Sequence, residues 1–201
     1  MKRDLLCVLT VILALAFAVL SVGATVLEEE RQIYDLALRL HIPANSDSEE
    51  DQAVKLKVRN AVLEVLDEPL RNCQTRDKAA QIVQSLTDVI SLTANNVLYA
   101  NGMDYTASVS LGEEYYPTRD YEGISLPAGK YLSLKIELGK AEGKNWWCVL
   151  FPQVCVGCAR PAEAMAQVGF TPNQIKLLTE QEDGGYTVKF KLLEIIEGIF
   201  G

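Results

Sequence analysis

The sequence lacks the short motifs that mark the common classes of enzyme. It has no glycine-rich phosphate loop, no HExxH zinc signature and no GxSxG nucleophile elbow. It contains one histidine, His41, and no two carboxylates stand out as a general acid and base. Because these motifs are absent, we predict no small-molecule substrate, no cofactor and no metal.

Positive charge is also scarce. The 201 residues include 19 Lys and Arg against 27 Asp and Glu, which gives a formal net charge of −8. Removing residues 1–24, with their two basic side chains and one acidic side chain, leaves a body of charge −9. Such a body is not expected to bind nucleic acid, or to bind anionic lipid by charge. Its length is ample for one domain with a hydrophobic core.

The first residues are organised like an export signal. Lys2 and Arg3 precede an apolar run over residues 5–20, and small residues follow up to Ala24. This order predicts a signal peptide that is cleaved after Ala24. The alternative is an uncleaved anchor that contacts the membrane through residues 5–27, since that stretch is long enough to span a bilayer. Either form predicts that residues 25–201 are exported.

Residues 37–42 alternate between apolar and polar side chains, which is typical of a half-buried strand. The alternation places His41 on the polar, solvent-facing side. Pro43 ends the strand because it cannot donate to a sheet ladder.

A polar elbow over residues 44–48 then begins a long helix that extends to about Leu70. Ser46 and Ser48 each have an acidic residue three positions on, as in a capping box, and Ser46 is the better match. Together with His41, the elbow residues Asn45 and Asp47 are candidates for a functional site. The alternative is a capping elbow beside a surface histidine.

The rest of the chain predicts one α+β domain over residues 25–201, in which a long helical pair packs on a mostly antiparallel sheet. The N-terminal signal or anchor helix precedes this domain. Further helices are predicted at residues 77–101, 161–168, 173–179 and 192–200. Strands are predicted at residues 103–111, 124–126, 130–138, 146–151 and 186–191.

The predicted exported body contains four cysteines, Cys73, Cys148, Cys155 and Cys158, which allow three complete pairings. Cys148 and Cys155 flank a short apolar segment and could bridge a strand and its return. Cys155 and Cys158 have the CxxC spacing of redox motifs, but they lack a clear strand-then-helix context. A zinc site would need three of these cysteines and His41, and no second CxxC supports one.

Two further hypotheses concern the predicted strand over residues 146–151. Cys148 and His41 could form a nucleophile and base oriented by Asn45 or Asp47, which would make the chain a cysteine hydrolase. The alternative is that Cys148 is structural and His41 an exposed strand residue. The adjacent Trp146 and Trp147 point to opposite faces of a strand, so one fits the core and the other suits a partner interface.

Two long blocks resemble the stage II sporulation protein R family of endospore-forming bacteria. The first block, LRLHIPANSDSEEDQAVKLKVRNAVLEVL, begins at Leu38. The second combines YTASVSLG, YYPTRDYEG and LPAGKYLSLKIELGKAEGKNWWCVLFP in that order. The blocks are long and unusual in composition, so the resemblance is specific.

The resemblance implies an exported signal rather than an enzyme. Such a protein is made in the forespore and secreted into the space between the two membranes of the sporulating cell. There it is thought to trigger a membrane-embedded aspartic protease of the mother-cell membrane, which cleaves the precursor of the mother-cell sigma factor. The positions that match the family motifs are candidates for a recognition surface or a structural frame: His41, Asn45, Ser46, Asp47, Asn145, Trp146, Trp147, Cys148 and Cys155.

Overall fold

A computed structural model of the protein describes residues 33–121, 123–153 and 161–179, together with Leu13, Ala14 and Phe17. The chain divides into two compact units, residues 1–33 and 34–201. The few described residues of the first unit are helical, but most of residues 1–27 lie outside the described chain. The signal or anchor helix, and its boundary at Ala24, therefore stay predictions. Among the described residues, no helix combines the length and hydropathy needed to cross a membrane.

The second unit is an α+β domain built on a four-stranded sheet. Its strands are β1 (Leu38–Pro43), β2 (Ala107–Tyr116), β5 (Gly129–Leu138) and β6 (Asn145–Phe151), in the order β2-β5-β1-β6. β1 is parallel to β5 and antiparallel to β6, and β2 is antiparallel to β5. The predicted mostly antiparallel sheet is confirmed. β3 (Arg119–Tyr121) and β4 (Ile124–Leu126) form a separate two-stranded hairpin.

The helices that follow β1 pack on one face of this sheet. They are α1 (Glu49–Arg71), α2 (Arg76–Ser85) and α3 (Thr87–Ala100), and two short helices, α4 (Pro161–Gln167) and α5 (Pro172–Thr179), come later in the chain. The apolar core between helices and sheet includes Leu38, Leu40, Ile42, Val54, Val58, Val62, Leu66, Ile90, Leu98, Leu134, Ile136 and Leu138. Helix packing on one face leaves the other face of the sheet to polar and aromatic residues.

The prediction of a long helical pair is wrong in its second member. The helix expected over residues 77–101 is two helices, because Leu86 leaves the helical conformation with φ −100° and ψ 5°. Its N–H is shared between Ile82 O and Val83 O, both at 3.1 Å, as at a helix end. The apolar stripe continues across the break, so periodicity alone did not reveal it.

The predicted helix cap is also corrected. Ser48, not Ser46, is the N-cap of α1, and its Oγ accepts a hydrogen bond from Asp51 N at 3.1 Å. Ser46 instead donates its hydroxyl to the Asp51 carboxylate. Both serines have an acidic residue three positions on, so this spacing alone does not distinguish them.

The prediction that β1 is half-buried is wrong as well, because all six of its residues are buried. β1 is a central strand, and its polar side is covered by aromatic side chains from distant parts of the chain. β2 begins four residues after the predicted start at residue 103 and ends five residues beyond the predicted end at Leu111. The end of β2 and the unpredicted β3 occupy part of the gap between the strands predicted at 103–111 and 124–126. The other predicted strands and helices up to residue 179 are confirmed to within about a residue or two at each end. The predicted strand at 186–191 and helix at 192–200 lie outside the described residues.

Candidate functional site

The register of the sheet brings the sequence-predicted candidates to one place. His41 of β1 pairs with Lys135 of β5 on one side and with Trp147 of β6 on the other. Residues directly opposite each other share a face of a sheet, so all three lie on the side away from the helices. We call this surface the polar face and define it by Arg39, His41, Glu114, Ser133, Lys135, Asn145 and Trp147.

Both ring nitrogens of His41 are engaged. Nδ1 lies 2.7 Å from Glu114 Oε1 and Nε2 lies 2.8 Å from Asn145 Oδ1. The side chain is 6% exposed, so the expectation of a surface histidine is wrong. His41 instead joins the side chains of β1, β2 and β6.

The imidazole of His41 also stacks on the Trp147 indole, with ring centroids 3.8 Å apart and 9° between the planes. Tyr116 meets the indole edge-on at 4.6 Å. Trp147 stays partly exposed, and the Arg119 guanidinium lies 5.5 Å from its ring centroid. Trp147 therefore covers the imidazole of His41 with one face of its indole and presents the rest of its aromatic surface to solvent.

Glu114 links the polar residues of the face. Ser133 Oγ donates to its Oε2 at 3.2 Å, and Lys135 Nζ lies 3.9 Å from its Oε1. Lys135 makes a closer ion pair with Glu137 at 2.8 Å. The hydrogen bond from Lys135, outweighing the opposing effect of burial, lowers the pKa of the Glu137 carboxyl. Charges on this face thus pair with each other along the sheet.

Arg39 is fully buried beside this network. Its guanidinium lies 4.2 Å from the Tyr116 ring centroid and 4.7 Å from that of Tyr131. Its Nε donates to Cys148 O at 3.2 Å, and its Nη2 donates to the Tyr121 hydroxyl. Burial is the main cause that raises the pKa of both Tyr116 and Tyr121, so these phenols stay neutral. Arg39 thereby ties β1 to the β3–β4 hairpin through a cage of tyrosines.

The elbow residues, which follow Pro43 at the end of β1, form a structural network that is separate from the polar face. Asn45 Oδ1 accepts from Lys140 N at 3.0 Å, and Asp47 Oδ1 accepts from Lys144 N at 2.7 Å. The elbow therefore holds the β5–β6 loop. This supports the structural-frame interpretation of these two residues.

Asp51 is the anchor of that elbow. Its carboxylate accepts from Asn45 Nδ2 at 2.9 Å, from Ser46 Oγ at 2.5 Å and from the Tyr105 hydroxyl. Burial alone would raise the pKa of Asp51, but the hydrogen bonds from Ser46, Tyr105, Asn45 and Ser48 outweigh it and lower the pKa. A charged Asp51 is thus the form that the elbow stabilises.

The structure does not bring the hypothesised catalytic pair of Cys148 and His41 together. Cys148 pairs with Leu40 and lies in the core on the helix side, whereas His41 faces the opposite side of the sheet. Cys148 is also disulfide-bonded, so it is no free nucleophile. Cys73 is a free thiol, so the partner of Cys148 lies outside the described residues, and the pairing with Cys155 stays a prediction.

The two tryptophans point to opposite faces, as predicted. Trp146 packs against the main core, where the Arg59 guanidinium lies 4.1 Å from its ring centroid. Its buried Nε1 has no hydrogen-bond partner among the described residues. Trp147 belongs to the polar face, so Trp147 is the better candidate for a partner contact.

Sequence reasoning missed Glu114, Ser133 and Lys135 as members of the site. Glu114 fell between the strands predicted at 103–111 and 124–126, so its hydrogen bond with His41 could not be inferred. Continuing the alternation of β2 past Leu111 would have placed Glu114 on the same face as Ser110. Among the described residues, no group of His, Cys, Asp and Glu could hold a metal ion.

Comparisons with known proteins agree with the family implied by the motifs. Residues 34–160 match the model of the family described as Stage II sporulation protein R. The chain is 30% identical over 223 residues to Stage II sporulation protein R of Bacillus subtilis (strain 168), with both chains covered completely. No solved structure matches the chain. The chain belongs to the stage II sporulation protein R family.

Proposed function

We propose that this chain is an exported sporulation signal that activates a membrane-embedded aspartic protease, which then cleaves the precursor of the mother-cell sigma factor. The proposal rests on membership of the stage II sporulation protein R family over residues 34–160. The leader pattern of residues 1–24 supports export from the forespore into the space between the two membranes. In that space the protein is either secreted or held by one N-terminal helix.

The polar face supports recognition of a protein in preference to chemistry on a substrate. Both ring nitrogens of His41 are engaged by neighbouring side chains, and Cys148 is disulfide-bonded. Cys148 is therefore unavailable as the nucleophile of the alternative hydrolase, and His41 lies on the opposite face of the sheet from it. Trp147 keeps part of its ring in solvent beside Arg119, a combination of side chains that is common in protein interfaces.

Reconstitution in a host that does not sporulate tests this function. The cognate membrane protease and the sigma precursor are co-expressed with the full chain, and precursor cleavage is followed by immunoblot. A matched chain without residues 1–24 stays inside the cell and controls for export. A protease without its catalytic aspartate controls for cleavage by host enzymes.

We expect cleavage only when the full chain and the active protease are both present. The chain without its leader should give cleavage at the level of the samples that lack this protein. The proposed function would be overturned by equal cleavage without this protein. It would also be overturned by absence of cleavage when all three proteins are present and folded.

A further inference from the structure

β2 is an edge strand of unusual regularity. Its ten residues pair with β5 without a bulge, from Ala107 opposite Leu138 to Tyr116 opposite Gly129. It contains no lysine and no proline, and within the described chain β5 is its one neighbour. Proteins usually protect long edge strands with lysine, proline, a bulge or a covering segment. Within the described residues β2 has none of these four devices, and its charged residues are Glu113 and Glu114, so its edge can act as a template for another strand.

The hydrogen bonds at the start of β2 reveal which backbone groups point outward. Gly139 N donates to Thr106 O at 3.0 Å, so Thr106 and every second residue after it face β5. The alternate residues face away from β5. Accordingly, the Asn95 amide bonds both backbone groups of Ala107 from the outer side, at 2.9 Å and 3.3 Å. Asn95 closes the edge at its first residue only.

Between Ala107 and Tyr115, the outward backbone groups belong to Val109, Leu111 and Glu113. Each offers one N–H and one C=O along the same edge, and no described strand lies beyond them. An incoming extended segment could pair with these six groups in the manner of strand addition. Gly112 lies between two of these residues, and a side chain added there would meet nothing within 4 Å. None of the described residues therefore blocks the approach to the edge at this point.

A polar cavity of about 160 Å³ lies beside this edge, lined by Ser110, Gly112, Glu113, Glu114, Ser133 and Lys135. Glu114 is engaged by His41 and Ser133, and Lys135 is paired with Glu137. Glu113 is exposed and has no ion-pair partner among the described residues. Because side chains alternate along β2, the Glu113 carboxylate lies on the other face of the strand, with Val109 and Leu111, where it can meet a basic side chain of an incoming strand.

We propose that β2 binds, by strand addition, an extended segment of the partner protease with a basic side chain directed to Glu113. This inference rests on the proposed function, because it names the contact through which the signal acts. A second copy of this chain is disfavoured as the occupant. It would bring another acidic β2, from a chain of charge −8, against the same glutamates.

Proline at position 113 tests the edge without breaking the sheet. Glu113→Pro removes an outward N–H that β5 does not use, and proline is tolerated at such edge positions. Glu113→Ala is the matched control, since it removes the same carboxylate and keeps the N–H. In the reconstituted cleavage assay, we expect Glu113→Pro to cleave at least about tenfold less precursor than Glu113→Ala, as loss of a backbone hydrogen bond would give.

Charge reversal tests the side chain independently. Glu113→Lys should reduce cleavage further than Glu113→Ala, because it places a positive charge against the basic side chain. Melting curves on all three variants check that they stay folded. Full cleavage by a folded Glu113→Pro variant would overturn the strand addition and leave the proposed function intact. Absence of cleavage with the unaltered chain would instead count against the proposed function itself.

Amide hydrogen exchange identifies the occupant directly. In the isolated full chain, the amides of Val109, Leu111 and Glu113 should exchange quickly, whereas the β5-bonded amides of Ser110 and Gly112 exchange slowly. The first three should slow down on addition of the detergent-solubilised protease. Slow exchange in the isolated monomer would mean that another part of this chain covers the edge. Slowing that depends on the concentration of this chain alone would mean a second copy, and either result overturns the proposal.

Discussion

The imidazole of His41 lies flat on the indole of Trp147, with the two ring centroids 3.8 Å apart. The two residues pair directly in the register of β1 and β6, which are separated by more than a hundred residues of sequence. His41 is buried while Trp147 keeps part of its surface. The two residues therefore have different roles: His41 links β1 to β2 and β6, and Trp147 presents a surface to solvent.

His41→Leu should destabilise the domain. Leucine keeps much of the bulk but removes the hydrogen bonds to Glu114 and Asn145, which leaves Glu114 partly buried beside an apolar side chain. We expect a loss of about 1–3 kcal/mol in the free energy of unfolding, measured by urea titration. Asn145→Ala is the control, because Asn145 is exposed and should cost less. Equal stability of His41→Leu and the unaltered chain would contradict the role given to His41.

Asp51→Asn should weaken the elbow in a pH-dependent way. The hydrogen bonds to Asp51 lower its pKa in the folded protein below the ordinary value of 3.8. A carboxyl with a lowered pKa adds stability above its unfolded-state pKa, and this stability is lost as the pH falls through the folded-state value. The stability difference between the unaltered chain and Asp51→Asn should therefore be full at neutral pH and shrink below about pH 4.

Urea titrations of both proteins at several pH values measure that difference. Glu49→Gln in the same helical turn is the matched control, because Glu49 is exposed. Its effect should be small at every pH in the series. A difference for Asp51→Asn that stays constant between neutral pH and pH 3 would contradict the lowered pKa.

Local sequence patterns predicted the helices and strands of this fold better than they predicted which side chains are buried. Alternating residues identified β5, and the polar elbow located the start of α1. Neither pattern could reveal that Arg39 is buried, because Tyr116 and Tyr121 cover it from elements about 80 residues away. The same limit made His41 look like a surface residue. β1 is buried on both faces because of its place in the sheet, and the alternation of apolar and polar residues along the strand does not reveal that place.

The elbow illustrates the opposite case, in which the residues were identified and their role was open. Asn45 and Asp47 were candidates for a recognition surface or a frame. The structure uses both to hold backbone N–H groups of the β5–β6 loop. A polar side chain beside a turn looks the same in sequence whether it recognises a partner or holds the fold together. The two roles are distinguished only by what it binds, which here is a loop about 95 residues later.

Gly143→Ala should disturb the contact between the elbow and the β5–β6 loop. A Cβ atom at position 143 would lie 2.1 Å from Ser46 O, which is backbone and cannot rotate away. We expect a loss of about 1–3 kcal/mol in stability, the usual cost of overpacking, measured by chemical denaturation. Gly112→Ala is the matched control, since it meets open space and should change stability by less than about 1 kcal/mol. Similar effects of the two changes would contradict the close approach at Ser46.

Replacements of Arg39 should reveal how its buried charge is tolerated. The guanidinium has no ion-pair partner among the described residues, and Nη1 makes no hydrogen bond with them. Its charge is instead stabilised by the rings of Tyr116 and Tyr131 and by hydrogen bonds to Cys148 O and Tyr121. Lysine cannot reproduce this planar set of contacts and carries a more strongly hydrated charge.

We therefore expect Arg39→Lys to be less stable than Arg39→Met by about 1 kcal/mol or more, although lysine keeps the charge. Methionine fills the tyrosine cage without a buried charge, at the cost of the two hydrogen bonds. Thermal and urea unfolding of both variants measure the order. A lysine variant that is more stable than the methionine variant would mean that charge, and not the shape of the guanidinium, holds β1 to the β3–β4 hairpin.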